Sequence, residues 1–122
     1  MHATCNGKVL LAFRGARELA DLLGTAPLTA FTDRTITSRR RLDEELRLAH
    51  ERGYATAVDE FEVGLTAIAA PIRNVEGVAV SSLSVSGPSF RLTPQRLAQI
   101  APLVREAADE VARRLGWHSR VA

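Results

Sequence analysis

The chain has 122 residues, 46% of them hydrophobic and 25% charged, which are the length and composition of one globular domain. It has a single cysteine and no apolar run near the about 20 residues of a membrane span, so we expect a cytoplasmic protein with neither disulfide nor membrane contact. Sixteen basic and 14 acidic residues give a net charge of +2, and their interspersion argues against a surface that binds nucleic acid.

The first predicted element is a short buried helix over residues 3–13. Its apolar residues Val9, Leu10 and Phe13 recur at helical spacing. Gly7 lies inside this helix, where glycine is less favourable than alanine by about 1 kcal/mol. We therefore expect a close contact with backbone or ligand at Gly7. Lys8 is expected to be a surface or helix-end charge.

A second short helix is predicted over residues 16–23. Gly24 is suited to end it, because glycine readily adopts the left-handed conformation that follows many helices. Its inward-facing side chains are predicted to be Leu19, Leu22 and Leu23. The segment over residues 26–32 contains proline and lacks helical periodicity, which indicates a loop.

A longer helix is predicted over residues 38–52, with Thr37 or Ser38 as its N-cap. Its apolar stripe consists of Leu42, Leu46 and Ala49. Asp43 and Arg47 lie four residues apart on this helix, so we expect them to form an ion pair.

The periodicity then changes from helical to alternating. A short strand is predicted over residues 54–58, followed by a polar connector over residues 59–62. Two longer strands over residues 65–73 and 78–86 are joined by a turn over residues 74–77 that contains glycine. These two strands are predicted to form an antiparallel hairpin.

The second strand of the hairpin alternates strictly in sequence. One face is predicted to carry Val78, Val80, Ser82, Ser84 and Ser86. The opposite face is predicted to carry Ala79, Ser81, Leu83 and Val85. Buried hydroxyl groups need hydrogen-bond partners, so the serines either face solvent or line a polar pocket. The alternation alone leaves both interpretations open.

The last predicted element is a helix that begins with Thr93 as N-cap and Pro94 in the first turn. Its apolar stripe is predicted to comprise Leu97, Ile100, Ala101, Val104, Ala108, Val111 and Leu115. Pro102 is expected to kink the helix because proline removes a backbone donor. The residues 117–122 are expected to form a frayed tail.

Signatures of catalysis and of metal binding are missing from the sequence. It has no Gly-x-Ser-x-Gly motif, no phosphate-binding loop and no paired-carboxylate pattern. The residues His2, Cys5, His50 and His118 have no recognised metal-ligand spacing. A thiol–imidazole pair of Cys5 and His2 would have nothing to orient it. We therefore expect no enzymatic activity, no metal and no cofactor.

Five segments, in order, resemble the C-terminal effector-binding domain of IclR-type transcriptional regulators. They are residues 2–12, 31–37, 52–55 together with 59–64, 67–72 and 82–88. The first reads His2-Ala3-Thr4-Cys5-Asn6-Gly7-Lys8, and the last reads Ser82-Leu83-Ser84-Val85-Ser86-Gly87-Pro88. The segments cover nearly the whole chain, which is more than chance similarity produces.

The resemblance implies a GAF-like, profilin-like α+β domain over residues 1–122, with an antiparallel sheet flanked by helices. In the family this domain binds a small-molecule effector, commonly an organic or aromatic acid. It follows a winged helix-turn-helix domain whose residues, like the first strands of the sheet, have no counterpart here. We therefore expect DNA binding only through a domain absent from this chain, and a homodimer or homotetramer.

The resemblance also implies an effector pocket. Its predicted residues are Cys5, Asn6, Asp59, Ala67, Ser84 and Ser86. Amide and hydroxyl groups are donors that suit a carboxylate or carbonyl ligand. Cys5 stands where the family usually has alanine, and Ala67 where it often has cysteine, so the identity of the effector does not carry over. A solvated acidic turn is the alternative interpretation of Asp59.

A second interpretation of the whole chain comes from a different class of function. A domain that lacks the first strands of its sheet would have an exposed edge, and such edges pair with other chains. On this alternative the chain is a truncated interaction module that only mediates dimer or tetramer assembly.

Overall fold

The computed structural model describes residues 1–14 and 16–116, without the side chains of Ala16 and Leu19. Its elements are α1 (Cys5–Ala12), α2 (Ala16–Leu23), α3 (Arg39–Arg52), β1 (Ala55–Val58), β2 (Leu65–Arg73), β3 (Ala79–Pro88) and α4 (Pro94–Arg114). These are the predicted elements, with ends that differ by at most two residues. The expectations for Leu19 and for the tail over residues 117–122 lie outside the described residues.

The three strands form an antiparallel sheet in the order β1-β2-β3. Helix α1 packs against one face of this sheet and α4 against the other. Helix α3 lies behind α1, where its Leu42 and Leu46 contact Leu11. This arrangement confirms the predicted α+β class with an antiparallel sheet flanked by helices. None of the helices in the described part of the chain is long and apolar enough to cross a membrane.

The two faces of the sheet carry side chains of different size. Toward α1 the strands present mainly alanines, and the buried cluster there consists of Cys5, Val9, Phe13, Ala49, Ala55, Ala57, Ala69 and Ala79. Toward α4 the strands present larger aliphatic residues, and the cluster consists of Ile68, Ala70, Ile72, Leu97, Ala101, Val104, Ala108 and Ala112. The core is therefore divided into two layers by the sheet.

A β-bulge interrupts the pairing of β2 with β3. Ile72 pairs with Ser81, but Arg73 pairs with Ala79, so Val80 is an extra residue. The predicted strict alternation is therefore wrong at Ala79, which is buried on the α1 face, the face that also carries Ser82, Ser84 and Ser86 farther along β3. An inserted residue shifts the alternation by one position, and the sequence pattern of β3 does not reveal the insertion.

The helix ends follow the expected capping chemistry. The hydroxyl oxygens of Thr4, Ser38 and Thr93 each accept a hydrogen bond from a backbone N–H in the first turn of α1, α3 and α4. Gly24 follows α2 with a φ of 59°, which confirms the predicted left-handed stop. Pro102 lies inside α4, and the helix continues through it to Arg114.

Two predictions about side chains on the helices are wrong. Asp43 pairs with Arg39, with 3.1 Å between Nε and Oδ1, and Arg47 pairs with Glu51 at 2.8 Å. Arg39 and Arg47 lie equally far from Asp43 in sequence, so spacing did not distinguish the two partners. Leu22 was predicted to face inward but is half exposed, whereas Leu23, the next residue on this helix, reaches the cluster around Leu11.

The apolar stripe of α4 also differs at its C-terminal end. Ala112 is fully buried there, whereas Val111 and Leu115 are exposed. A residue four positions after buried Ala108 returns to the face that packs on the sheet, while Val111 turns toward solvent. The predicted stripe is therefore correct through Ala108 and wrong beyond it.

Candidate functional site

A cavity of about 190 Å³ lies between the beginning of α1 and the sheet. Its lining comprises Ala3, Thr4, Cys5, Asn6, Ala57, Phe61, Leu65, Ala67, Ser84 and Ser86. Five of the six residues predicted for the effector pocket are in this set: Cys5, Asn6, Ala67, Ser84 and Ser86. The structure thus brings together residues that are up to 81 positions apart in sequence, and their role in binding remains a prediction.

The geometry of the cavity follows from a helix start and a strand register. The cap at Thr4 begins α1 above the sheet, so Cys5 and Asn6 occupy its first turn. On the sheet, Ala67 pairs with Ser86, and the next pair on the same face joins Ala69 to Ser84. The sheet forms the floor of the cavity. Since these side chains are small, they leave open space between the sheet and α1.

Polar groups meet at one side of the cavity. The Asn6 side-chain amide donates a hydrogen bond to Ser84 Oγ at 3.2 Å. Ser82 Oγ donates to Asn6 Oδ1 at 2.7 Å. A hydroxyl group has one proton and two lone pairs, so Ser84 retains a proton to donate while it accepts from Asn6. Of the described residues that line the cavity, none carries a charged side chain.

Cys5 contributes a neutral thiol to the cavity. Burial raises its pKa to about 11, and the smaller opposing effects of backbone N–H groups and of the nearby Lys8 do not compensate. The thiol is therefore protonated at neutral pH, and a protonated thiol is a poor nucleophile. In this wall Cys5 acts as a small, mainly apolar side chain.

Asp59 is the predicted site residue that the structure does not bring to the cavity. Its Oδ1 accepts hydrogen bonds from Ser89 Oγ at 2.5 Å and from the Gly64 backbone N–H at 2.9 Å. The bond from Ser89 and then that from Gly64 hold the pKa of the Asp59 carboxyl below its ordinary value. The carboxylate thus joins the two ends of the connector between β1 and β2, and it lies outside the cavity lining.

The expectation that Lys8 is a surface charge is wrong. Its side chain is fully buried, with Nζ 2.6 Å from Glu60 Oε1 and 4.0 Å from Glu45 Oε1. It also donates a hydrogen bond to the Thr56 carbonyl at 2.9 Å. A buried ammonium group requires such partners. Lys8 is the one lysine among the 16 basic residues, which is the signal that sequence reasoning passed over.

Phe61 is a cavity residue that the sequence analysis missed. It follows Asp59 and Glu60 on the connector, where a lone aromatic residue between acidic ones was a signal of a buried or ligand-facing role. Its ring lies 5.1 Å from the ring of Phe31, and that ring lies 5.9 Å from the imidazole of His2. The loop before α3 therefore supports the cavity wall.

The glycine inside α1 has a packing explanation. A Cβ atom at Gly7 would lie 2.2 Å from the carbonyl oxygen of Met1. The predicted close contact at Gly7 is thus confirmed, and its partner is the backbone of the chain itself.

The fold is that of a domain found in bacterial transcriptional regulators. The family model for the C-terminal domain of the bacterial transcriptional regulator IclR matches residues 1–113 of this chain. The chain therefore belongs to the IclR family, whose members are transcriptional regulators and not enzymes.

Individual relatives agree with this assignment. The HTH-type transcriptional regulator KdgR of Escherichia coli is 35% identical over 118 residues, which are 97% of this chain and 45% of KdgR. The structure of IclR from Thermotoga maritima superposes with a TM-score of 0.89 at 34% identity, covering 95% of this chain and 47% of that protein. The chain spans a little under half the length of the curated relatives it matches.

A third relative was solved with a ligand. It is a double mutant of the inducer-binding domain of the PobR transcription factor from Acinetobacter, in complex with 3-hydroxybenzoic acid. It superposes with a TM-score of 0.82 at 32% identity, covering 91% of this chain and 64% of that one.

Proposed function

We propose that this chain is the ligand-sensing domain of an IclR-family transcriptional regulator and that it binds a small organic or aromatic acid. The observation that carries the proposal is the cavity between α1 and the sheet, with Asn6, Ser84 and Ser86 in its lining. A few convergent polar groups in an otherwise apolar cavity are typical of a small-molecule site.

The size of the cavity limits the class of ligand. An apolar cavity of roughly 150 Å³ holds benzene, so 190 Å³ suits a single ring or a short-chain acid. The apolar part of such a ligand would lie over Ala57 and Ala67, and its carboxylate would accept hydrogen bonds from the Asn6 amide and the two serine hydroxyls. The complex of the PobR domain with 3-hydroxybenzoic acid, a single-ring acid, supports this choice.

Ligand binding would act on DNA through a domain outside these residues. A ligand that touches both α1 and the sheet stabilises those conformations in which the distance between α1 and the sheet allows both contacts. Helix α1 also contacts α3, so a shift of α1 would be passed to another surface of the domain. Such a regulator would have two conformations that differ in DNA affinity. The acid changes DNA binding only if it binds one of these conformations more tightly than the other.

The proposal is tested by thermal unfolding with a panel of small aliphatic and aromatic acids. We expect at least one acid to raise the melting temperature. The double variant Ser84→Ala/Ser86→Ala should lose that shift. Ser81→Ala is the matched control, because Ser81 is an exposed serine that β3 directs to the other face of the sheet. A panel that leaves the melting temperature unchanged would contradict the proposal.

We also propose that the domain assembles as a homodimer or homotetramer. Strand β3 ends the order β1-β2-β3, so one side of its backbone is unpaired within residues 1–14 and 16–116. Exposed strand edges favour pairing with another chain. Size-exclusion chromatography with light scattering should show a dimer or a larger species, and a monomer at high concentration would contradict this part of the proposal.

A further inference from the structure

We propose that Phe61 determines the specificity of the cavity by selecting acids with a planar unsaturated ring over saturated acids of similar size. This inference rests on the proposed function, because it names the substrate class of the same cavity. Of the described residues that line the cavity, Phe61 alone is aromatic. A ring of the ligand would meet the Phe61 ring edge to face or offset and stacked.

The backbone around Phe61 is held in place by the Asp59 carboxylate. Asp59 has a φ of 55°, a left-handed conformation that is uncommon for residues other than glycine. Its carboxylate accepts hydrogen bonds from the Gly64 N–H at 2.9 Å and from Ser89 Oγ at 2.5 Å. These two hydrogen bonds, which we call the Asp59 clasp, hold residues 59–64 in a closed loop. Phe61 lies inside that loop, which limits the directions in which its ring can move.

Glu60 is fixed from two further directions. Its carboxylate lies 2.6 Å from the buried Lys8 ammonium group, which belongs to α1. Its backbone carbonyl accepts a hydrogen bond from Thr35 Oγ1, and the carbonyl of Asp59 accepts one from Thr32 Oγ1. The residue before Phe61 is thus tied both to the helix that covers the cavity and to the loop before α3.

The ring itself is supported by an aromatic residue of the loop before α3. Phe31 meets it at an interplanar angle of 55°, and Phe31 in turn stacks on His2, whose Nε2 lies 2.7 Å from the Thr29 carbonyl. The Phe61 side chain nevertheless stays half exposed. A ring that is positioned in advance and still has free surface is suited to contact a ligand without a large loss of conformational entropy.

The test compares two acids of nearly the same shape, benzoic acid and cyclohexanecarboxylic acid, by isothermal titration calorimetry with the full chain. The unmodified protein should bind benzoic acid between about twofold and tenfold more tightly. Phe61→Leu should bring the ratio of the two affinities to about one, and Phe61→Tyr should retain the preference. Phe90→Leu is the matched control, because Phe90 is an exposed phenylalanine outside the cavity and should leave the ratio unchanged.

The outcomes separate this inference from the proposed function. If both acids bind and Phe61→Leu keeps the ratio of the unmodified protein, Phe61 only packs against Phe31 and the inference is wrong. If short aliphatic acids bind and neither ring acid does, the inference is wrong while the proposed function holds. If no acid binds, the proposed function fails and the inference fails with it. Melting temperatures of all variants without ligand confirm that each one folds.

Discussion

The two faces of the central sheet are packed with side chains of different size. Toward α4, β2 presents Ile68 and Ile72, which meet Leu97 and Val104 in a continuous aliphatic layer. Toward α1, the same strand presents Ala67 and Ala69. Because neighbouring residues of a strand point to opposite faces, one nine-residue strand serves both layers.

The comparison shows how the cavity arises. Small side chains on a sheet leave space unless the helix above fills it, and Val9 in α1 and Phe13 at its C-cap fill it toward the C-terminal end of the helix. At the beginning of α1 the residues above the sheet are the small Cys5 and the polar Asn6, whose amide meets the sheet at Ser82 and Ser84 and leaves space over Ala57 and Ala67. The cavity therefore lies where small residues face one another from both sides.

The two faces also differ in what holds their helix in place. Aliphatic contacts dominate beneath α4, whereas α1 is tied to its surroundings by the ion pair of Lys8 with Glu60 and by the bonds of Asn6 to serines. Apolar packing alone would close the space that a ligand needs. Polar ties hold the helix above the sheet without filling the cavity, so the α1 face should respond most strongly to changes of charge.

The largest effect is expected from Lys8→Met. Removal of the ammonium group leaves the nearly buried Glu60 carboxylate without its cation, and breaking a buried pair in this way costs about 3–5 kcal/mol of unfolding free energy. Urea denaturation at neutral pH measures the loss. The double variant Lys8→Met/Glu60→Gln should recover a large part of it, because the nearly buried Glu60 charge is then removed as well and the remaining Glu45 carboxylate is more exposed to solvent. Equal stabilities of the single variant and the unmodified protein would show that α1 does not depend on this pair.

Two alanines on β2 test the difference between the two faces, with an expected loss of unfolding free energy of intermediate size. Ala70→Leu adds volume to the filled layer beneath α4 and should cost about 1–3 kcal/mol of unfolding free energy. Ala67→Leu adds the same volume to the cavity and should cost less than about 1 kcal/mol, while any acid bound by the unmodified protein loses its affinity. Urea denaturation of both variants measures the loss of unfolding free energy, and isothermal titration calorimetry measures their affinity for the acid. Equal costs at the two positions would mean that the faces are packed alike.

The sequence was sufficient for most of the fold, because periodicity reports local structure directly. The hairpin of β2 and β3 and the capped helices follow from alternation, helical spacing and residues such as Thr93 and Pro94. The bulge at Val80 was not predictable in this way, because an inserted residue changes the facing of a strand without changing its composition. Ala79 was assigned to the wrong face for that reason.

The candidate site was predictable in part, and the resemblance to a known family supplied most of it. Asn6, Ser84 and Ser86 come together as predicted, whereas Asp59 lies outside the cavity because its carboxylate finds donors in Ser89 and Gly64. Phe61 was missed because its role depends on the course of the connector. Such tertiary contacts leave no periodic trace in the sequence.

The smallest effect is expected from the pH dependence of the Asp59 clasp. The pKa of Asp59 is lower in the folded chain than in the unfolded one, mainly because Ser89 donates to the carboxylate. Its contribution to stability is therefore complete above the ordinary carboxyl pKa of about 4 and is lost as the pH falls through the lower folded-state value. Asp59→Asn should reduce the slope of unfolding free energy against pH in that acidic range and leave the slope near neutral pH unchanged.

Glu110 provides the matched control for this titration. Its pKa is also lowered, by Arg113 and then Arg114, but these residues lie on α4, far along the chain from the connector. Glu110→Gln should therefore reduce the acid slope in the same direction without any effect on the binding of an acid at neutral pH. Asp59→Asn should weaken that binding, because it loosens the loop that carries Phe61. If both variants bind equally well, the clasp contributes to stability alone, and the α1 face does not depend on the connector for its ligand.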